Sequence, residues 1–335
     1  MKYLQGRKNF DLRIRESEIP VPTHNDTLVR ILACGICGTD LHFLRNNEAY
    51  TPLGHEISAI VVAVGESVTK ISVGDMVVVE DCTFCGSCIH CKNGESHLCR
   101  NMTTLNGQSG MGEYLLVHEN NLVSCRNLTK EQATLVEPAA VAWTACMEAR
   151  IRDDRPLVIW GLGPLALMCV ALGRYFHAKE IFCVTRKKDS RRGRKRTEIA
   201  YELGASRIFD ADELRGKEDL WDEVCSVIVS SPPSTVPDAV RLAGYGSVIV
   251  PFGIALDRSA KAEIDMDDLI LHKKRILPVL TEPARFFPKC ISLIEKGIIP
   301  AEKLLTHQIR LTDTKQFRDV YTKDEAVIKG IIINE

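Results

Sequence analysis

Four thiols stand in one short stretch, CGSCIHCKNGESHLC, in which Cys85, Cys88, Cys91 and Cys99 are separated by two, two and seven residues. Zinc takes four soft ligands in a tetrahedron, and short Gly-containing turns let neighbouring thiolates converge on one ion about 2.3 Å away. Such a set leaves no position for a substrate, so its chemistry is structural: it would hold a loop that lacks its own core. Cys82 leaves the register open, because Cys82 with Cys85, Cys88 and Cys91 is equally dense, and His90 and His97 lie inside the loop as substitute ligands. A group of unpaired reduced cysteines is the plain alternative.

A second set is more widely spread. Segment 33–42, ACGICGTDLH, offers the Cys37 thiolate, the Thr39 hydroxyl and the His42 imidazole, and residues 54–56 add Gly54, His55 and Glu56. A catalytic zinc needs about three protein ligands plus an exchangeable position, and Cys, His and Glu supply that mixture. Each segment alone is equally compatible with structural hydrogen bonding.

A third set reads LVIWGLGPLALMCVALGRYFHAKEIFCVTRKK, with Gly161, Gly163 and Ala166 between a strand and a helix. The first Gly allows a tight turn, the second a close approach of pyrophosphate, and the small third residue lets helix and strand pack. Gly161, Leu162, Gly163, Pro164 and Leu165 are the candidate cofactor residues of this turn, at a helix amino terminus whose dipole favours phosphate. At the end of the next strand, an acid would accept the ribose hydroxyls of NAD. Here the chain has Thr185, then Arg186, Lys187 and Lys188, and RKKDSRRGRKR crowds eight basic residues into 186–196. NADP is therefore favoured over NAD. A solvated basic loop with only Arg186 near the cofactor would leave NAD open.

These residues need elements to position them. The runs at 28–33, 57–64 and 76–79 are short and β-branched, and they read as strands of an irregular β-rich unit. From about residue 150 the order changes to LVIW, glycines, an apolar helix to about His177 and the strand IFCV, which is a βαβ unit of a parallel sheet. VCSVIVS and SVIVPFG extend that sheet. A length of 335 residues predicts two domains. The expected layout is a catalytic zinc domain of residues 1–148 and 281–335, with a dinucleotide-binding domain, 149–280, inserted.

The formal net charge of -1 gives no overall field for nucleic acid or an anionic membrane. No apolar stretch is long enough to cross a bilayer, and MKYLQGRKNF lacks the apolar run of a secretory signal, so a cytoplasmic location is expected. That compartment agrees with cysteines used as metal ligands and not in disulfides.

Together the three sets resemble the zinc-containing medium-chain dehydrogenases, the family of alcohol, sorbitol, threonine and glucose dehydrogenases, over nearly the whole chain. The resemblance implies an α/β fold: a β-rich GroES-like catalytic domain plus a doubly wound Rossmann domain. By position, Cys37 matches the first catalytic zinc ligand and GHE contributes His55 and Glu56. TLVEPAAVAWTAC places Glu137 where alcohol dehydrogenases carry a cysteine, and Glu is the pattern of the polyol and sugar branch. The match puts the structural zinc on Cys85, Cys88, Cys91 and Cys99, leaves Cys82 outside, and gives Asp40 the part of orienting the zinc-bound histidine.

The implied reaction is reversible hydride transfer between NAD(P) and a secondary alcohol of a polyol, sugar or cyclitol. Zinc would ease loss of the alcohol proton. Thr39 would accept that proton by hydrogen bond and hand it towards His42; His42 could instead bind a cofactor phosphate or ribose hydroxyl. A simple alcohol dehydrogenase, a threonine-type amino-alcohol dehydrogenase and a biosynthetic carbonyl reductase are the rival enzymes. The non-enzyme alternative is an idle zinc protein whose 186–196 loop binds polyanions. A homodimer or homotetramer through the cofactor domain is also implied, with no nucleic acid or membrane partner. Departures from the family are SSPPS at 230–234, the short stretch from Cys37 to His55, and Met111 where relatives have an aromatic; all three are expected to reshape the pocket.

Overall fold

The computed structural model describes residues 1–214, 223–255, 260–280 and 285–334, so the expected start of the returning segment at Thr281 lies outside the described residues. Two compact units form, one from Met1–Ala140 and Glu282–Glu335 and the other from Val141–Thr281. The helix Val136–Glu148 runs through the division.

The first unit is built on a seven-stranded sheet. Its path runs Leu122–Ser124, Met76–Val79, Glu56–Val64, Asp26–Gly35, Lys329–Ile333, Leu305–Arg310, and Tyr114–His118 also pairs with Asp26–Gly35. All these pairings are antiparallel except the last two strands of the path, which are parallel. The β-branched runs pack Val29, Ile31, Ile57, Val61, Val77 and Val79 into one core with Leu4, Leu53 and Met111. At the site end of the sheet, Gly35 pairs with Glu56 on one side and with Ile331 on the other. A strand from the far carboxy terminus is thereby laid beside the GHE segment.

The second unit is a six-stranded parallel sheet in the order Arg207–Asp210, Ile181–Thr185, Leu157–Trp160, Ser226–Val229, Val248–Pro251, Arg275–Ile276. The sequential order 3-2-1-4-5-6 is that of a dinucleotide-binding fold, whose crevice opens beyond the carboxyl ends of the strands. Leu157–Trp160 and Ser226–Val229 are buried at every position, as strands covered on both faces must be. The helix Pro164–Tyr175 starts at Gly163 with Pro at its first position, where a missing N–H costs nothing, and buries Ala166–Gly173. Among the described residues no helix is long and apolar enough to cross a membrane.

Candidate functional site

The helix Gly38–Asn46 begins at Cys37, and the carboxylate of Asp40 closes its first turn. Asp40 Oδ2 accepts the Cys37 backbone N–H at 2.9 Å, and Oδ1 accepts the Gly54 N–H at 2.8 Å. One buried carboxylate therefore ties together the two segments that carry Cys37 and His55. The sequence reading gave Asp40 the orientation of a histidine; its hydrogen bonds go to backbone, and it acts on His55 through charge.

The ligand atoms of Cys37, His55 and Glu56 lie within 4.8 Å of one another. Burial works against a charged His55, but the hydrogen bond and charge of Cys37, with Asp40 and Glu137, outweigh it and hold the imidazole pKa well above its ordinary value. Glu137 stands outside that group of three. It is buried, and loss of water pushes its pKa up to about 8, His55 opposing and Glu56 and Asp81 assisting. Thr39 Oγ1 sits 3.8 Å from Cys37 Sγ. A thiol, an imidazole and a buried carboxylate converging at this spacing fit a zinc ion of the catalytic type.

Lys329 is the residue the sequence reading missed. Its ammonium lies 2.5 Å from Glu56 Oε2, with both side chains almost fully buried, and it also reaches the Ile36 carbonyl at 3.4 Å. Tyr321 closes the same corner by accepting the Gly330 N–H at 3.0 Å. Gly35 has to be glycine because a Cβ there would stand 1.9 Å from Glu56 Oε2. Nothing local in KGIII signals this role.

All thirteen cysteines are free thiols. The sulfurs of Cys85, Cys88, Cys91 and Cys99 form one group, with Cys88 Sγ 3.5 Å from Cys91 Sγ and 3.9 Å from Cys99 Sγ. A zinc tetrahedron with bonds of about 2.3 Å sets ligand sulfurs about 3.8 Å apart, so the set fits that ion. Donors from Ser87 and the Cys88 backbone N–H draw the Cys85 pKa down to about 6. No residue of the Ile89–Lys92 turn is buried, and Ile89 and Leu98 are exposed, so the loop has no core of its own. Cys82 lies elsewhere, grouped with Glu80 and Asp81, and His90 is engaged with Glu95 at 3.1 Å.

In the second unit Gly161 has φ +113, a left-handed conformation that favours glycine, and a Cβ would meet Ser230 Oγ at 2.4 Å. A Cβ on Gly163 would project into open space, so the turn leaves room for a phosphate at the helix amino terminus. Leu162, Pro164 and Leu165 complete the turn between strand and helix.

Thr185 ends its strand, and Arg186 and Lys187 line a cavity of about 460 Å³ with Asp189, Ser190, Asp210, Asp212 and Glu213. Not every basic residue of this stretch is available to a ligand. Lys188 Nζ binds both Glu213 oxygens at 2.7 and 2.9 Å, and Lys195 pairs with Glu198. Met111 is fully buried in the first unit's core, which corrects its expected place in the pocket wall. In SSPPS, Ser230 Oγ donates to the Trp160 carbonyl and Ser231 bonds to Thr235.

Residues 23–127 match the model of the alcohol dehydrogenase GroES-like domain. The (R,R)-butanediol dehydrogenase of Bacillus subtilis is 30% identical, with 93% of each chain covered. The L-galactonate-5-dehydrogenase of Escherichia coli K12 is 27% identical over 99% of this chain and 98% of its own. A solved alcohol dehydrogenase, rspB of E. coli CFT073 with bound NADH, superposes with a TM-score of 0.86 at 26% identity, covering 100% of this chain and 99% of that one. The chain belongs to the zinc-containing medium-chain dehydrogenase family, and with it to the NAD(P)-dependent dehydrogenases that act on CH–OH groups.

Proposed function

We propose that this protein oxidises a secondary alcohol of a polyol, sugar or cyclitol reversibly to a ketone, with NADP as the preferred cofactor. The observation that carries the reading is the convergence of Cys37, His55 and Glu56, with buried Glu137 beside them, in a chain that also has a dinucleotide turn. Cys37 and His55 would hold the catalytic zinc with Glu56 or Glu137, and Cys85, Cys88, Cys91 and Cys99 a second, structural zinc. When bound, the catalytic zinc supplies positive charge that makes an alcohol easier to deprotonate. Thr39, beside Cys37, would accept the alcohol in a hydrogen bond and orient its proton.

Two relatives named for a diol and a sugar acid support the substrate class. A solved neighbour carries NADH, so the NADP assignment rests on this chain's own Arg186 and Lys187, which line the cavity beyond Thr185 where an acid would favour NAD. By resemblance alone, the chain is read as a homodimer or homotetramer, which light scattering tests.

The deciding experiment is a panel of polyols, sugars, primary alcohols and amino alcohols, followed by absorbance of the reduced cofactor and by metal analysis. Activity on secondary alcohols of polyols with about two zinc ions per chain is expected. Turnover of primary alcohols alone would defeat the reading.

A further inference from the structure

Asn46 ends the Gly38–Asn46 helix four residues after His42, and its amide nitrogen makes two contacts with that residue. Nδ2 is 3.0 Å from the His42 carbonyl oxygen and 3.2 Å from His42 Nδ1. A carbonyl oxygen can only accept, so the first contact decides which end of the amide is nitrogen; turned over, Oδ1 would face another acceptor. The same NH2 group then offers its second hydrogen to Nδ1. A ring nitrogen that accepts carries a lone pair and no proton, so in the neutral imidazole the proton sits on Nε2.

We propose that Asn46 is a positioning residue that holds His42 as the Nε2–H tautomer, so that the ring meets the dinucleotide as a hydrogen-bond donor to a ribose or phosphate oxygen. This rests on the functional reading above, in which His42 faces the cofactor. The alcohol proton leaving by way of Thr39 then finds Nε2 already protonated and Nδ1 covered by the Asn46 amide. The proton passes to water, and His42 keeps its charge and its hold on the cofactor. A single neutral hydrogen bond of this kind biases the tautomers by about fivefold.

The test is made on the zinc-loaded holoenzyme with 15N-labelled histidine, the His42 signals being assigned by their loss in His42→Gln. The unmodified protein is expected to show a bare Nδ1 and a protonated Nε2. Asn46→Asp replaces the donor with an acceptor and should invert the tautomer, with the cofactor KM rising about tenfold and kcat changing much less. Asn46→Ala, a truncation at an exposed position, should mix the tautomers and raise that KM a few-fold.

A proton on Nδ1 in the unmodified protein would overturn the inference. So would a loss of kcat at unchanged cofactor KM in both variants, or no change in either variant. The tautomer measurement needs no turnover, so a chain that transferred no hydride would sink the functional reading alone.

Discussion

Lys329 Nζ stands 2.5 Å from Glu56 Oε2, and each side chain is no more than 3% exposed. Burial works against the ammonium, yet Glu56, Cys37 and Tyr321 more than compensate, so the Lys329 pKa is raised. Removing one partner of such a pair leaves a buried charge without compensation, which costs far more than the pair itself contributes. Lys329→Met should therefore destabilise the chain by about 3–5 kcal/mol in urea denaturation. Adding Glu56→Gln should recover part of that loss. A double variant as unstable as the sum of the two single ones would show that the residues act independently.

Gly35 is the spacer that admits the Glu56 carboxylate. In Gly35→Ala the new methyl would stand 1.9 Å from Glu56 Oε2, and either the carboxylate or the strand pairing at Gly35 must shift. Overpacking of this kind costs about 1–3 kcal/mol. Activity should fall at least about tenfold, as misplaced ligands lose geometry. Metal analysis should show the thiol-bound zinc retained, because that loop lies far along the chain from the change.

The thiol loop should behave in the opposite way. Cys88 contacts two of the other three sulfurs, so Cys88→Ser removes a ligand from the middle of the set. About one zinc per chain should be lost, and thermal unfolding should begin at a lower temperature, since a loop without a core depends on its metal. Full retention of two zinc ions by Cys88→Ser would remove the structural assignment.

The metal sets and the dinucleotide turn were legible because each is compressed into a few residues: three thiols in seven positions, GHE, and GLG between a strand and a helix. The strands at 57–64 and 76–79 carried a β-branched signal that local sequence preserves. Lys329 was not legible. It reaches Glu56 only because Ile331 and Glu56 flank Gly35 on opposite sides, a pairing between distant segments that no local pattern records. The burial of Met111 was hidden for the same reason: Met111 exchanges backbone hydrogen bonds with Leu4 and Leu53, which turns its side chain into the core. The basic stretch misled in part, because Lys188 faces Glu213 across a turn that a count of charges does not reveal.

A pH dependence of stability follows from the second unit. Asp268 receives Lys274 Nζ at 2.7 and 2.9 Å and faces His272 Nδ1 at 2.6 Å. Burial acts to raise the Asp268 pKa, but Lys274 and His272 prevail and hold it below the ordinary 3.8. A carboxyl with a depressed native pKa stabilises fully above its unfolded value, and the contribution fades as pH falls through the native one. The unfolding temperature of the parent protein should therefore exceed that of Asp268→Asn above about pH 4, with the gap closing in more acid solution. A gap that widened on acidification would contradict the assignment.

Cofactor choice turns on Arg186. It is exposed, it follows the last residue of the Ile181–Thr185 strand, and it has no carboxylate partner of the kind that occupies Lys188. A guanidinium there can meet a 2′-phosphate with two parallel N–H donors, and hydrogen bonds to a charged group contribute about 1.5–3 kcal/mol. Arg186→Ala should therefore raise the KM for NADP by roughly tenfold or more while leaving that for NAD within about a factor of two. Lys187→Ala should have a smaller effect in the same direction, since an ammonium meets the phosphate as a point charge without the planar fork. Equal use of the two cofactors by the unmodified enzyme would mean that the arginine faces solvent and that the ribose is recognised without its phosphate.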